Sequence, residues 1–323
     1  MPLTISTPFD GTSDNEEFDT VIKWSRNLKQ RYRRGLKETF DKNKRVSNYH
    51  YRPFCKFYIY YSDLFLDEHG IASDFLGDDN KLIAVNVGNK PFNVLSSKYL
   101  VDWHFNGDSC CLPLYRYDEN GKRSDNITDW ALLQFRENYE DTSITKESVF
   151  HYVYAVLHHP AYREKYATNL KRELPRIPFY DNFQQWETWG RQLMNLHLNY
   201  ETTNPCLLRR ADLKADSGKP PIRPKPILKV EKQLNSIRLD TITTLTNIPP
   251  EAWEYKLGNR SALEWVLEYY KERKPKDPTI LEKFNTYRFA DYKDQVIDLL
   301  ARVCAVSVET MRIIGEMGAV LRQ

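Results

Sequence analysis

From Val21 to Leu36 the chain carries apolar residues at helical spacing. Val21, Trp24, Leu28, Tyr32 and Leu36 fall within an arc of about 120° at 100° per residue. Arg26, Lys29, Arg33 and Lys37 cluster on the other side, and Arg31 and Arg34 flank the apolar stripe. Gly35 weakens the last turn, and Asp41 to Arg45 reads as a loop. The pattern then shortens. Cys55–Tyr61, Leu82–Val87, Phe92–Leu95, Tyr99–Phe105 and Cys111–Tyr117 are short runs rich in β-branched and aromatic residues, and each predicts a strand. Gly88-Asn89 and Asn106-Gly107 mark turns between them, and Asp118 to Asp125 is a polar loop.

From Asp129 the helical period returns. One helix is predicted over Lys146–His158. Pro160 suits the first turn of the next, which runs to about Glu173 and stops before Pro175. Phe183–Tyr200 reads as a long helix with an aromatic face. Residues 205–232 hold five prolines and eight Lys/Arg against three acids, which predicts a semi-extended basic connector or a loop at a binding surface. A short strand near Ile237–Leu239 follows. Ser261 with Glu264 forms a capping box for a helix to about Lys271, Asp291 opens another, and Ser307 caps a last one. The expected fold is α+β: a basic N-terminal helix and a β-rich lobe, then a mainly helical C-terminal half. The divisions fall at residues 1–56, 57–204 and 205–323.

Composition narrows the class. The 323 residues are 41% hydrophobic and 28% charged, which suits a folded chain with a sizeable core. No run approaches the roughly 18 apolar residues of a membrane-spanning helix, and the N-terminus lacks a signal-peptide pattern. The five cysteines (Cys55, Cys110, Cys111, Cys206, Cys304) are odd in number and form no CxxC pair. A reducing, cytoplasmic setting without disulfide framework or zinc is expected.

Net charge is only +3, but it is polarised. Residues 23–56 carry twelve Lys/Arg and two acids, and residues 57–150 carry eight basic against sixteen acidic side chains. A single-signed segment repels itself unless an anion neutralises it, so the basic zone is a candidate for phosphate contact. A solvated helix face is the alternative.

Reaction centres are not apparent. Neither Pro220-Pro221 nor Pro249-Pro250 is followed by an aromatic, as an adenine methyltransferase loop requires. There is no GxGxxG, no GxxxxGK[ST] and no GxSxG. His158-His159 cannot easily share a metal, because adjacent helical residues point about 100° apart. With Pro160 behind them, a helix-end role is expected. Glu272-Arg273-Lys274 has the spacing of a nuclease half-motif, but the tripeptide is common by chance. Catalytic and metal-binding residues are therefore expected to be absent.

Several runs carry a family likeness. They are Tyr51-Arg-Pro-Phe54, Asn126-Ile-Thr-Asp-Trp-Ala131, Tyr152-Val-Tyr-Ala-Val-Leu-His-His-Pro-Ala-Tyr-Arg163, Leu174-Pro-Arg-Ile-Pro-Phe179, Trp253-Glu-Tyr-Lys-Leu-Gly-Asn-Arg-Ser-Ala-Leu-Glu-Trp265, Lys276-Asp-Pro-Thr279 and Tyr287-Arg-Phe-Ala-Asp-Tyr292. In that order, from about Trp24 to Met311, they resemble the C-terminal specificity region of type ISP restriction–modification enzymes. Those polypeptides join a nuclease, a helicase-like ATPase, an adenine methyltransferase and a target recognition domain. The resemblance implies sequence-specific recognition of double-stranded DNA. It also implies that S-adenosylmethionine, ATP and Mg belong to the other domains, and that methyltransferase and helicase-like parts of the same or a neighbouring polypeptide are partners. Residues 1–56 then connect from a preceding methyltransferase. A non-catalytic scaffold between methyltransferase and motor is the alternative.

The candidate phosphate contacts are Arg26, Lys29, Arg31, Arg33, Arg34, Lys37, Lys42, Lys44, Arg45 and Arg52. The candidate base readers are Asn120, Lys122, Arg123, Asn126, Arg209, Arg210 and Arg223, residue types that suit base edges in the major groove.

Overall fold

The computed structural model describes residues 25–41, 46–62, 64–66, 79–88, 90–118, 120–213, 224–276, 278, 281–282 and 285–320. The fold is α+β. Helix α1 (Arg26–Arg33) starts at Ser25, whose hydroxyl accepts the Leu28 N–H. Strands β1 (Val46–Arg52) and β2 (Cys55–Tyr60) form an antiparallel hairpin, with β5 (Leu100–Val101) parallel to β1. A second sheet has the order β4-β3-β6, from β3 (Leu82–Val87), β4 (Val94–Ser97) and β6 (Asp108–Pro113). Strands β7 (Tyr115–Tyr117) and β8 (Arg123–Asp125) make a hairpin beyond it.

Helix α2 covers Asp129–Tyr139 and α3 Lys146–His158, the latter opened by a capping box at Thr145 and Ser148. Pro160 begins α4 (Pro160–Lys165) as expected, but α4 stops at Lys165 and only a 3-10 turn at Asn169–Lys171 follows. Helix α5 is Phe183–Leu198. It lies so close to α3 that a Cβ on Gly190 would sit 1.7 Å from the His151 carbonyl oxygen.

Residues 205–213 and 224–232 of the expected connector lie among the described residues. They supply β9 (Arg209–Asp212) and β10 (Pro226–Glu231) to a sheet of order β10-β11-β12-β9. Its other members are β11 (Ser236–Asp240) and β12 (Thr243–Thr246). After a 3-10 turn at Pro250–Trp253, Gly258 at φ +72° turns β13 (Lys256–Leu257) into β14 (Arg260–Ser261). Ser261 and Glu264 form the expected capping box of α6 (Ala262–Tyr269). Helix α7 then runs unbroken over Phe289–Val320. Ser307 is therefore no cap. It is buried inside α7 and its hydroxyl donates to the Val303 carbonyl one turn back, at 2.7 Å.

Two hydrophobic cores meet at β3. Ile83 and Val85 face one with Phe150, Leu157, Trp186 and Leu193, while Ala84 faces the other with Leu239, Leu245, Val266 and Leu300. A strand covered on both faces reads as a continuous apolar run, which is why LIAV does not alternate. Helix α7 serves both cores, through Val296, Leu300 and Val303 in one and Ile313 and Met317 in the other. Among the described residues no helix is long and apolar enough to cross a membrane.

Candidate nucleic-acid interface

The basic segment is anchored at its exit. Phe40 packs on Tyr60 with ring centroids 4.8 Å apart, and Glu38 accepts from the hydroxyls of Tyr60 (3.1 Å) and Ser62. Within α1, Arg31 points inward and donates to the carbonyls of Leu64 (3.2 Å) and Leu66 (2.6 Å). Arg33, Arg34 and Lys37 are exposed and Lys29 is half-buried. Arg26 is the first residue of α1. Lys42, Lys44 and Arg45 lie outside the described residues, as does Arg223.

Tyr51-Arg-Pro-Phe54 is the turn of the β1–β2 hairpin. Phe54 is buried there with φ +59°, so the core holds its backbone in the left-handed region. Arg52 stacks over the Tyr51 ring at 4.0 Å and pairs with Asp102 at 2.6 Å. Tyr49 donates to the other Asp102 oxygen at 2.9 Å. Arg52 thus braces the hairpin against the segment after β5.

The loop between β7 and β8 is an Asx turn. One Asp118 carboxylate oxygen accepts the N–H groups of Asn120 (2.9 Å) and Lys122 (2.8 Å), and Gly121 sits at φ +75°. This leaves Lys122 exposed at a defined tip. Arg123 pairs with Asp79 at 2.6 Å and lies 4.3 Å over the Tyr115 ring. Its partners raise its pKa, and Tyr117 and Arg123 hold Asp79 below the usual carboxylate range. Asn126 donates from its amide to the Pro113 carbonyl at 2.9 Å, which fixes the return of the hairpin.

On β9 the two arginines differ. Arg209 is exposed. Arg210 bridges Asp212 (2.8 Å) and Asp294 of α7 (2.8 Å). Beside them Lys293 pairs with buried Asp240 at 2.7 Å, so this sheet is clamped to α7 by charge.

His159 has the helix-end role expected of it. It ends α3 and caps α4, its Nδ1 accepting the Tyr162 N–H at 3.3 Å. Leu174-Pro-Arg-Ile-Pro-Phe179 leads into a strap held by tyrosine hydroxyls. Tyr162 donates to the Arg176 carbonyl (2.9 Å), Tyr152 to that of Pro178 (2.8 Å) and Tyr139 to that of Tyr180 (2.6 Å). The Arg176 side chain is left outward, paired with Glu173 at 2.9 Å. Among the described residues no group of His, Cys, Asp or Glu has the arrangement of a metal site.

One basic surface escapes a sequence reading. Lys271, Arg273 and Lys274 follow α6, Arg288 precedes α7, and together they line a cleft against Pro226–Leu228 of β10. Fourteen positions separate Lys274 from Arg288, and only the fold joins them.

The profile of the type ISP C-terminal specificity domain matches residues 8–299. The chain belongs to the type ISP C-terminal specificity domain family. Among solved structures it is similar to the DrdV–DNA complex determined by cryo-electron microscopy, with 47% identity, 92% of this chain and 30% of that one covered, and a TM-score of 0.87. It is also similar to a nuclease-deletion mutant of the type ISP enzyme LlaGI with a DNA substrate mimic (31% identity, 91% of this chain and 22% of that one, TM-score 0.70). A third is the ATP-dependent type ISP enzyme LlaBIII bound to DNA (26% identity, 95% and 20% covered, TM-score 0.75). This specificity domain therefore spans less than a third of the length of those chains. No curated protein sequence shows a comparable match.

Proposed function

We propose that this specificity domain recognises an asymmetric sequence in double-stranded DNA and presents it to methyltransferase and helicase-like parts of a type ISP restriction–modification enzyme. The observation that carries the reading is the 47% identical structure, solved as a DNA complex, whose fold covers 92% of this chain. Phosphates are met by the exposed cations at the end of α1 and just after it, Arg33, Arg34 and Lys37, and base edges by Lys122 at the β7–β8 tip and Arg209 at the start of β9. The chain itself supplies recognition rather than chemistry. S-adenosylmethionine, ATP and Mg act elsewhere in the parent, and the chain works in the cytoplasm.

The test is binding of the full chain to duplex DNA over a range of salt, followed by selection from a randomised duplex pool. Salt-dependent binding with an enriched asymmetric site is expected. Absence of binding at low salt refutes the reading. A second reading, a docking scaffold, is favoured by Trp130 and Leu133, which α2 leaves 71% and 50% exposed. That reading predicts capture of the methyltransferase part without DNA affinity.

A further inference from the structure

We propose that the cleft between β10 and the segment joining α6 to α7 is a second DNA-backbone site, which grips phosphates apart from the basic N-terminal helix. The inference rests on the proposed DNA-recognition function. The cleft measures about 800 Å³, within the range of pockets that hold nucleotide-sized groups. Lys271, Arg273, Lys274 and Arg288 line it, with Glu272 the one acid among the described lining residues.

Glu272 and Glu268 are already engaged. Glu272 accepts the Phe289 N–H at 2.9 Å, where the start of α7 favours a negative charge. That bond gives Glu272 a helix-capping role. Glu268 takes both Lys271 (2.8 Å) and Arg273 (3.3 Å). Lys271, Arg273, Lys274 and Arg288 thus outnumber Glu272 and Glu268. Arg288 donates to the carbonyls of Asn285 (3.0 Å) and Tyr287 (2.7 Å), which orients its guanidinium at the start of α7. Like charges gathered on one concave surface raise the local potential and attract a polyanion.

The opposite wall is shaped for close approach. Strand β10 loses register with β11 between Pro226 and Lys229, and Leu228 stands there at φ +48° with its side chain buried. A branched residue in the left-handed region is strained, and bulges of this kind gather beside functional surfaces. Lys229 on β10 and Lys225 just before it are also exposed and add positive charge. The other large cleft, against α3 and α5, lacks this character. Its lining balances Lys81, Lys98 and Arg191 against Asp79, Glu147 and Glu187, with Lys81 paired to Glu147 at 2.5 Å and Arg191 to Glu187 at 3.2 Å.

The experiment compares the full chain with its Arg273→Gln/Lys274→Gln variant on a labelled duplex of random sequence across a range of salt. The expected result is weaker binding to all duplexes and a slope of log affinity against log salt that is shallower by about 0.9 for every phosphate no longer neutralised. The selected site should keep its wild-type sequence. A wild-type slope and affinity in the variant overturn the cleft and leave the recognition function standing. Absence of DNA binding by the wild-type chain overturns both. Since Arg273 also pairs with Glu268, a second measurement uses Lys274→Cys carrying a photo-cross-linker. Cross-links to the DNA strand support the site, and their absence under saturating DNA overturns it.

Discussion

The Tyr154 hydroxyl lies 2.6 Å from Nδ1 of His197, and Nε2 of His197 lies 3.0 Å from the Thr310 hydroxyl. Tyr154 also accepts the Ser96 N–H at 2.9 Å. One hydrogen-bonded line thereby joins β4, α3, α5 and α7.

That line makes the fold acid-sensitive. Burial, with Arg163 nearby, pushes the His197 pKa down to about 3, and burial, with Lys56 and Lys98, does the same for His50. His158 is lowered as well, chiefly by burial. The unfolded chain binds these protons at about pH 6.5, so the stability is fully present above that pH and is lost as pH falls from 6.5 towards 3. Urea titrations should show a loss of roughly 2 kcal/mol per histidine between pH 7 and pH 5. His197→Gln should flatten the dependence.

The Asp240–Lys293 pair predicts a second effect. Asp240 is 2% exposed and also accepts the N–H groups of Ile242 (2.8 Å) and Thr243 (2.7 Å). Lys293→Ala leaves this carboxylate buried without its cation and should cost about 3 kcal/mol in denaturant unfolding. Asp240→Asn/Lys293→Met should recover part of that loss, since no buried charge is then unpaired.

Arginines of α1 should separate by role. Arg31→Ala removes two bonds to the carbonyls of Leu64 and Leu66, so it should increase proteolysis near residue 62. Arg33→Ala/Arg34→Ala/Lys37→Ala should leave the fold intact and flatten the salt dependence of DNA binding by about 0.9 for each phosphate that the helix ceases to neutralise. An unchanged slope would return the exposed face of α1 to solvent.

Gly190→Ala tests the helix crossing. With the added carbon 1.7 Å from the His151 oxygen, α3 and α5 must separate. A loss of about 3 kcal/mol or failure to fold is expected, because overpacking of a tight crossing costs this much or more. Ala at Gly315, where nothing lies within 4 Å, should be neutral or slightly stabilising.

Local chemistry was legible in the sequence where it closed on itself. Pro160 and the Ser261–Glu264 box lie within one turn of the termini they set, and α3 runs over the expected Lys146–His158. Short strands were less exact. Phe92–Leu95 became Val94–Ser97, Tyr99–Phe105 shrank to Leu100–Val101, and Cys111–Tyr117 divided into β6 and β7 around Leu114. Strand β9 was hidden by charge because its pairing with β12 is long-range, and β10 was hidden by its prolines and charges although it pairs with the neighbouring β11. The basic residues of the interface were visible as a run. Their partners were not, since Arg31, Arg123 and Arg210 meet Leu66, Asp79 and Asp294 from distant parts of the chain.

The double service of α7 has a consequence for synthesis. The core around α3 and α5 has nearly all its residues once Leu198 is made, yet Ile313 and Met317 complete its apolar lining about 115 residues later. At ~5–20 residues per second that is roughly 6 to 23 s during which Phe150, Trp186 and Leu193 belong to an unfinished interior. A nascent chain in that interval presents the apolar surface that chaperones hold, until α7 closes the core around α3 and α5.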